Sequence, residues 1–594
     1  MSFFDWILDI PTSYENNFRS KIIEIGKISV IEIEVLSIVK HAKTTQIRCL
    51  LVEFGQVCDF VFFHFKPYQI KIFHNGAKLF VKCIFEQKGS NLTALQPKVL
   101  SKVDEIKVKY TQKREKISSS QFLDQINQFG FDDGLVQNLY NIHFPNANFV
   151  NDFLVRKGLS FESLNALKFL ESLNHFMKLS RKKFDFEAKK MFCGKWEEFA
   201  EKLPFELTND QKKALDEISS DFISTKASKR IIAGDVGTGK TMIILASAFM
   251  AKGSRSLLLA PTAILANQIY DEACKYLGDT LRIAIFTSKQ KPKEALVNFD
   301  FLIGTHALLY ENLPEIDLLM VDEQHRFGIN QRNQIERLHS DEDGKKPHFL
   351  QFSATPIPRT QAMIESSMVD FSFLKQTPFE KKISTKIITK TDFADLVKHI
   401  NSQIEHKHQT IIVYPIVEEN DDFEYASIEK GIVYWQKNFE KVYCTFGKDK
   451  NKEQAIEEFR EFGNILIATT LIEVGISLPR LTTIVIVGAE RMGLATLHQL
   501  RGRVSRNGLE GFCFLYTNKM QSIRLREFAK CKDGFEIAKL DLKLRKSGDI
   551  LDGKSQSGDA FRFLDLAEDE EIVAQSKSHF EKYLLKGGIE NLSY

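Results

Sequence analysis

The 594-residue sequence has no C-x-x-C pair, and its eight cysteines (Cys49, Cys58, Cys83, Cys193, Cys274, Cys444, Cys513 and Cys531) are scattered. That argues against a zinc centre and a disulfide framework, and suits a reducing compartment. The opening Met1-Ser2-Phe3-Phe4-Asp5-Trp6 lacks a basic region before an apolar stretch, so no secretory signal is expected. No apolar run reaches the roughly 18 residues that cross a bilayer. The expectation is a cytoplasmic protein with no membrane part. An excess of one charge is lacking too: Lys+Arg 81 against Asp+Glu 78 leaves +3. Whole-chain charge therefore gives no argument for nucleic acid, and any basic track must be local.

What the chain does have is length enough for several cores, with 43% hydrophobic residues and 49 phenylalanines. It also has Gly234-Asp235-Val236-Gly237-Thr238-Gly239-Lys240-Thr241, preceded by the apolar Ile231-Ile232-Ala233 and followed by a helical stretch from Met242 to Met250. Strand, glycine-rich loop, helix is the setting a phosphate-binding loop requires. Gly234, Gly237 and Gly239 let backbone N–H groups turn inward around a β-phosphate, and the helix N-terminus adds partial positive charge. Lys240 reaches the β- and γ-phosphates, and Thr241 offers a hydroxyl to Mg²⁺. ATP with Mg²⁺ is the expected ligand.

Residues 1–110 read as a small β-barrel, with an oligonucleotide-binding fold as one candidate: strands over 28–35, 46–53, 57–65 and 78–85, the last after the turn Asn75-Gly76. Phe60-Val61-Phe62-Phe63-His64-Phe65-Lys66-Pro67-Tyr68 is aromatic core beside a Pro-led turn, or a set of rings that stack on bases. Residues 111–200 read as a charged helical connector, with His143 structural rather than catalytic. In Thr208-Asn209-Asp210-Gln211, Gln211 caps the coming helix or reads an adenine edge, the second favoured by the phosphate loop just downstream.

Strand–helix alternation then continues. Leu318-Leu319-Met320-Val321 runs into Asp322-Glu323, an acidic pair suited to hydrolysis: Asp322 to hold Mg²⁺, Glu323 to orient and deprotonate the attacking water. A further strand over 349–352 leads to Ser353-Ala354-Thr355. A second α/β array over about 380–520, with strands at 410–414, 465–469, 483–487 and 511–516, has no phosphate loop. It carries Gln499-Leu500-Arg501-Gly502-Arg503-Val504-Ser505-Arg506 on a helix expected to begin near Leu494. Arg503 and Arg506, three apart on one helical face, would serve as arginine fingers toward the first array's γ-phosphate.

These blocks, in this order, resemble the superfamily 2 helicases, and within them the RecG family. The residues that carry the likeness are LPFELTNDQ (203–211), GDVGTGKT (234–241), APTAILANQ (260–268), IGTHAL (303–308), DEQHRFGINQR (322–332), SATPIPRT (353–360), ATTLIEVGISLP (468–479) and ERMGLATLHQLRGRVSR (490–506). The long acidic motif DEQHRFG is shared mainly with RecG and the transcription-repair coupling factor Mfd. The likeness extends to KDGFEIAKLDLKLR (532–545) and QSGDAFRFLDL (556–566), and upstream to FFHF (62–65) and NIHFP (141–145).

The resemblance implies a multidomain α/β chain. An oligonucleotide-binding-like barrel would form a wedge (1–110), followed by a helical connector (111–200). Two RecA-like parallel-sheet motor domains (201–378 and 379–519) and a translocation hairpin with a C-terminal helical region (520–594) would complete it. It implies an ATP-dependent duplex DNA translocase that acts on forks and Holliday junctions in recombination and repair. It also implies single-stranded-DNA-binding protein as a partner, and a monomer. It puts Phe205, Gln211 and Gly475 at the nucleotide, Phe63, Phe65 and Tyr68 in the wedge, and Arg524, Arg545 and Gln556 in the hairpin.

The chain departs from the family pattern at Ser505 (usually glycine), Ser477 (usually aspartate), Thr445-Phe446-Gly447-Lys448, Arg545-Lys546-Ser547-Gly548-Asp549, and Gln556, which lies one residue farther on. A Mfd-like translocase is a second reading, although that family carries further domains before its motor. A non-catalytic scaffold for branched DNA is a third, opposed by the intact Lys240, Asp322, Glu323, Arg503 and Arg506.

Overall fold

The computed structural model describes residues 2–41, 43–88, 91–181, 186–291, 296–338, 344–354, 358–366, 368–379, 381–415, 425, 428–446, 451–469, 478–505, 508–519, 521–552 and 561–585. The chain divides into two compact units. One comprises Met1–Asn174 with Arg562–Leu564 and Ser578–Tyr594; the other comprises His175–Phe561 with Asp565–Lys577.

The first unit is built on a closed barrel. Strands β1 (Ile28–Lys40), β2 (Thr45–Leu51), β3 (Gln56–Phe62), β4 (Lys78–Lys88) and β5 (Asn91–Leu95) pair in the order β1-β2-β3-β5-β4, and β4 returns to β1. Only β3–β5 is parallel, and helix α1 (Pro67–Ile72) lies between β3 and β4. Closure removes the exposed edges that an open sheet this small would present, and β6 (Lys98–Leu100) adds to β4 outside the ring. Alternation does the sorting. Ile31, Ile33 and Val35 point inward with Ile47, Phe60, Phe62 and Phe85, and the thiols of Cys49, Cys58 and Cys83 complete this core. Five strands form the barrel rather than the four read from sequence. Asn91–Leu95 is only five residues long and buries Ala94 alone, and its place is set by pairing with β3 and β4.

The connector helices of the same unit bury His143 beside Trp6 and Tyr110. Its Nε2 donates to the Ile7 carbonyl at 2.9 Å, and its Nδ1 accepts from the Tyr110 hydroxyl at 2.9 Å. The Arg114 guanidinium stacks 3.6 Å from the Trp6 ring centre and 4.0 Å from that of Tyr110. Burial, with the Arg114 charge, pushes His143 down to about 3, so the ring is neutral and structural. Residues 562–564 return to this unit: Glu171 of helix α2 (Phe161–Ser180) accepts the backbone N–H groups of Arg562, Phe563 and Leu564 at 2.7–2.9 Å.

The second unit holds two all-parallel sheets. The first has helix α3 (Asn209–Phe222) leading into β7 (Lys229–Gly234), then α4 (Lys240–Met250), β8 (Ser256–Leu259), β9 (Ile283–Phe286), β10 (Phe301–Gly304), β11 (Leu318–Asp322), β12 (His348–Ser353) and β13 (Asp370–Leu374). Their order is β9-β10-β8-β11-β12-β7-β13. The second sheet has β14 (Ile383–Ile388), β15 (Gln409–Val413), β16 (Val442–Thr445), β17 (Ile465–Ala468), β18 (Leu481–Val487), helix α5 (Leu494–Arg501) and β19 (Gly511–Tyr516), ordered β14-β19-β18-β15-β17-β16. Strands such as Leu318–Asp322 and Ile465–Ala468 are buried along their whole length, as parallel sheets covered on both faces require. The two parallel-sheet α/β motor domains expected from the sequence are thus both present. Helices α6 (Ile523–Lys530), α7 (Gly534–Asp552) and α8 (Glu570–Leu585) follow. No helix among the described residues is long and apolar enough to cross a membrane.

Candidate nucleotide site

Parallel strands place their loops at one edge, and a ligand in such a sheet sits at the carboxyl ends of the strands. Here β7 ends at Gly234, β11 at Asp322 and β12 at Ser353, and these are near neighbours in the sheet. The loop after β7 turns through Gly237 (φ +81°) and Gly239 (φ +78°), left-handed values that glycine adopts without strain. A side chain at Gly239 would also meet the Gln211 amide at 2.3 Å. Gly239 caps α4, so the first helical N–H groups face the loop's concavity. Lys240 Nζ donates to the carbonyls of Gly234 (2.8 Å) and Asp235 (3.1 Å), lying along the loop.

The acidic pair is set by the end of β11. Asp322 is buried, and burial, reinforced by the neighbouring Glu323 charge, pushes its carboxyl up to about 7. Its Oδ1 is buried without a hydrogen-bond partner among the described residues. Glu323 adopts a left-handed backbone (φ +49°), a conformation that costs a non-glycine residue about 1–2 kcal/mol. It re-aims the side chain so that Oε1 accepts the Ala354 N–H at 2.7 Å, joining the acidic motif to the Ser353-Ala354 strand end. Oε2 lies 3.3 Å from His325 Nδ1.

A cleft of about 330 Å³ is lined by Lys240, Thr241, Asp322 and Glu323 from the first sheet and by Gln499, Arg503 and Ser505 from the second. Both sheets thus contribute to one site. Arg326 Nη2 donates to Gln499 Oε1 at 2.6 Å, and Lys381 of the segment joining the sheets donates to the Val236 carbonyl. A Cβ on Gly502 would come within 2.9 Å of Val236, so only glycine lets the end of α5 press on the phosphate loop.

One expectation is corrected. The helix carrying the arginines begins at Leu494 as read, but it ends at Arg501. Arg503 lies beyond it in a turn, where Ser505 has φ +62°, so the helix does not carry Arg503 as expected. Gly502 stops the helix, and the turn carries the buried Arg503 side chain into the cleft. The Gln211 amide is wholly engaged by protein: Oε1 accepts the Thr208 N–H (2.8 Å) and Nε2 donates to the Thr238 carbonyl (3.0 Å). It caps α3 and braces the phosphate loop.

Phe205 borders a separate cavity with Trp196, Leu203, Glu206 and Lys212. In the barrel, Phe63 (48% exposed) and Tyr68 (57%) face outward, whereas Phe65 turns in, its ring 5.2 Å from that of Phe62. Arg524 bonds the carbonyls of Glu490 (3.0 Å) and Met492, tying α6 to the turn after β18. Gly475, Ser477, Arg506, Gln556 and the Arg545 side chain lie outside the described residues. The contacts of Asp235, Arg326, Lys381 and His498 went unread, although all but Lys381 stand inside blocks already quoted.

Comparison with known proteins bears on this geometry. Residues 208–364 match the DEAD/DEAH box helicase model, and residues 391–508 match the helicase conserved C-terminal domain model. The chain is 43% identical over 601 residues to an ATP-dependent DNA helicase RecG of Helicobacter pylori, covering 98% of this chain and 96% of that one. The chain belongs to the RecG family. A RecG of Staphylococcus epidermidis is 31% identical, over 86% of this chain and 78% of its own length. A solved structure of RecG bound to a three-way DNA junction is similar with a TM-score of 0.55 and 26% identity, covering 96% of this chain and 81% of that one. Membership of the RecG family therefore spans barrel, connector, both sheets and the helices after them.

Proposed function

We propose that the chain is an ATP-driven DNA motor that acts on branched DNA such as forks and Holliday junctions. One observation carries this reading. A phosphate loop, an acidic pair and an arginine meet in one cleft drawn from two parallel sheets, in a RecG-family chain. Lys240 binds the β- and γ-phosphates, and Arg503, joined by Arg506, stabilises charge that grows in the transition state. Glu323 takes the proton of the attacking water, its orientation fixed by the Ala354 N–H.

The residues present fit Mg²⁺. Asp322 Oδ1 is a buried acceptor without a partner among the described residues, in a carboxyl whose ionised form burial disfavours, and a cation would satisfy both. Asp322 and Thr241 are the residues that would hold it, and when bound it neutralises phosphate charge. Phe205, which lines the second cavity and is exposed, is the ring for the base to stack on.

Branched DNA as the substrate is supported by the similar RecG structure, which holds a three-way junction. Phe63 and Tyr68 are the exposed barrel rings that would stack on bases at the branch. Single-stranded-DNA-binding protein as a partner, a monomeric state, and the coupling roles of Arg545 and Gln556 rest on the resemblance alone. The test is ATP hydrolysis with forked DNA, linear duplex, single strand and structured RNA. Forks should stimulate most. Equal stimulation by linear duplex would remove the branch from the proposal, and preference for RNA would overturn it.

A further inference from the structure

The Asp235 side chain has no part in the phosphate chemistry above, yet both of its oxygens are engaged. Its Oδ1 accepts from His498 Nε2 at 2.7 Å and from the Val236 N–H at 2.6 Å, and its Oδ2 accepts the Gly534 N–H at 3.3 Å. Burial works to raise this carboxyl, but His498, Lys381 and the Val236 N–H together outweigh it and hold the group well below the usual carboxylate range.

His498 passes the contact on. Its Nδ1 faces Arg501 Nη2 at 3.2 Å. A guanidinium can only donate, so Nδ1 accepts and the ring proton sits on Nε2, aimed at Asp235. Arg501 Nη1 in turn donates to the Phe528 carbonyl at 3.3 Å, with its guanidinium 4.5 Å from the Phe528 ring centre. His498 and Arg501 are 3% and 4% exposed, so water does not compete for these bonds.

The two ends of this string fall on either side of one corner. Phe528 lies in the last turn of α6, and Gly534 is the first residue of α7. The phosphate loop therefore holds, through the partly buried Asp235 and the buried His498 and Arg501, both flanks of the turn from which the α6–α7 pair begins. The Asp235 main-chain carbonyl also accepts from Lys240 Nζ. A phosphate that engages Lys240 therefore acts on the residue whose side chain anchors the string.

We propose that Asp235, His498 and Arg501 form a positioning relay that carries the state of the phosphate loop to the base of the α6–α7 helix pair. The proposal rests on the ATP-driven motor reading and names the side chains through which that motor reaches the helices beyond it. None of the three is a catalytic residue. The relay acts by holding geometry between two elements that both move if the cleft opens and closes.

The test uses the full chain, with hydrogen exchange measured before and after adding a non-hydrolysable ATP analogue. In the unmutated chain, exchange should slow at the phosphate loop and also at residues 528–536, by at least about fivefold at the Gly534 amide. His498→Leu should keep the response at the loop and lose it at 528–536. His498→Gln can donate to Asp235 and accept from Arg501 with one amide, so it should restore the response. ATP consumed per fork converted should follow the same order, raised in His498→Leu and near the parent value in His498→Gln. Should His498→Leu fail to fold, Asp235→Asn removes one acceptor with little change in size and must show the same uncoupling.

A response at 528–536 that survives in His498→Leu or in Asp235→Asn overturns the relay. So does a loop that responds in the parent while 528–536 does not. No response at the loop itself would instead overturn the ATP site, a separable failure.

Discussion

Two buried ionisable groups, one in each compact unit, show what burial alone does and does not signal. His143 in the first unit and Asp322 in the second are both moved far from their ordinary values by loss of water, one down to about 3 and the other up to about 7. Their partners separate them. Both nitrogens of His143 are bonded, to Ile7 and Tyr110, and aromatic rings close around it. Asp322 leaves an oxygen without a partner among the described residues and borders a cleft shared by two sheets. A perturbed group that is satisfied is architecture, and one left unsatisfied at a cleft is a candidate for chemistry.

The contrast is breakable in both directions. The largest effect is expected at Glu323, beside Asp322. Glu323→Gln should lower the ATP turnover rate about 10²–10⁴-fold with ATP affinity and thermal stability near the parent's. Unchanged turnover in steady-state hydrolysis would remove Glu323 as the base.

At His143 the effect should be on stability and not on turnover. Its folded value lies below the ordinary 6.5, so the unfolded chain binds the proton more readily. The stability it contributes is present above pH 6.5 and is lost as pH falls toward about 3, by up to about 1.4 kcal/mol per pH unit. Urea unfolding of the parent and His143→Gln across that window should show the slope flattened in the variant, with ATP turnover at neutral pH alike. Equal slopes would mean the ring is not buried neutral.

Phe63→Ala removes an exposed ring from the barrel and should reduce preference for forks over linear duplex by about 1–3 kcal/mol, with ATP affinity unaltered. Competition binding with the two DNAs checks it, and unchanged preference would move the contact to Tyr68. The smallest effect is expected at Ser505, which holds φ +62° where the family pattern has glycine, and whose hydroxyl accepts the Lys382 N–H at 3.2 Å. Ser505→Gly relieves backbone strain, but it loses that bond and gains unfolded-state freedom. The net change in stability should stay within about 1 kcal/mol. A larger loss in thermal unfolding would show that the hydroxyl, not the turn, matters most.

What could be read from the sequence follows the same division. The phosphate loop, Asp322-Glu323 and the second array were legible because strand, loop and helix stand consecutively, and each motif brings its local structure with it. The closure of the barrel through Asn91–Leu95 was not, since a five-residue strand is defined by its neighbours. Nor was the end of α5: helical spacing runs on through Gly502 in the sequence, while in the molecule that glycine lies against Val236 of the loop. The contacts that join the two sheets were least legible of all. His498 meets Asp235 across 263 residues and Gln499 meets Arg326 across 173, separations that no local pattern encodes.

The central claim is that hydrolysis needs the second sheet as well as the first, and Arg503 is its most direct test. Fork-stimulated ATP turnover and ATP affinity should be measured side by side for the parent and Arg503→Ala. Turnover should fall about 10²–10³-fold with affinity within about threefold, because a finger acts on charge larger in the transition state than in the ground state. Turnover and affinity falling by the same factor, or neither falling, would contradict it.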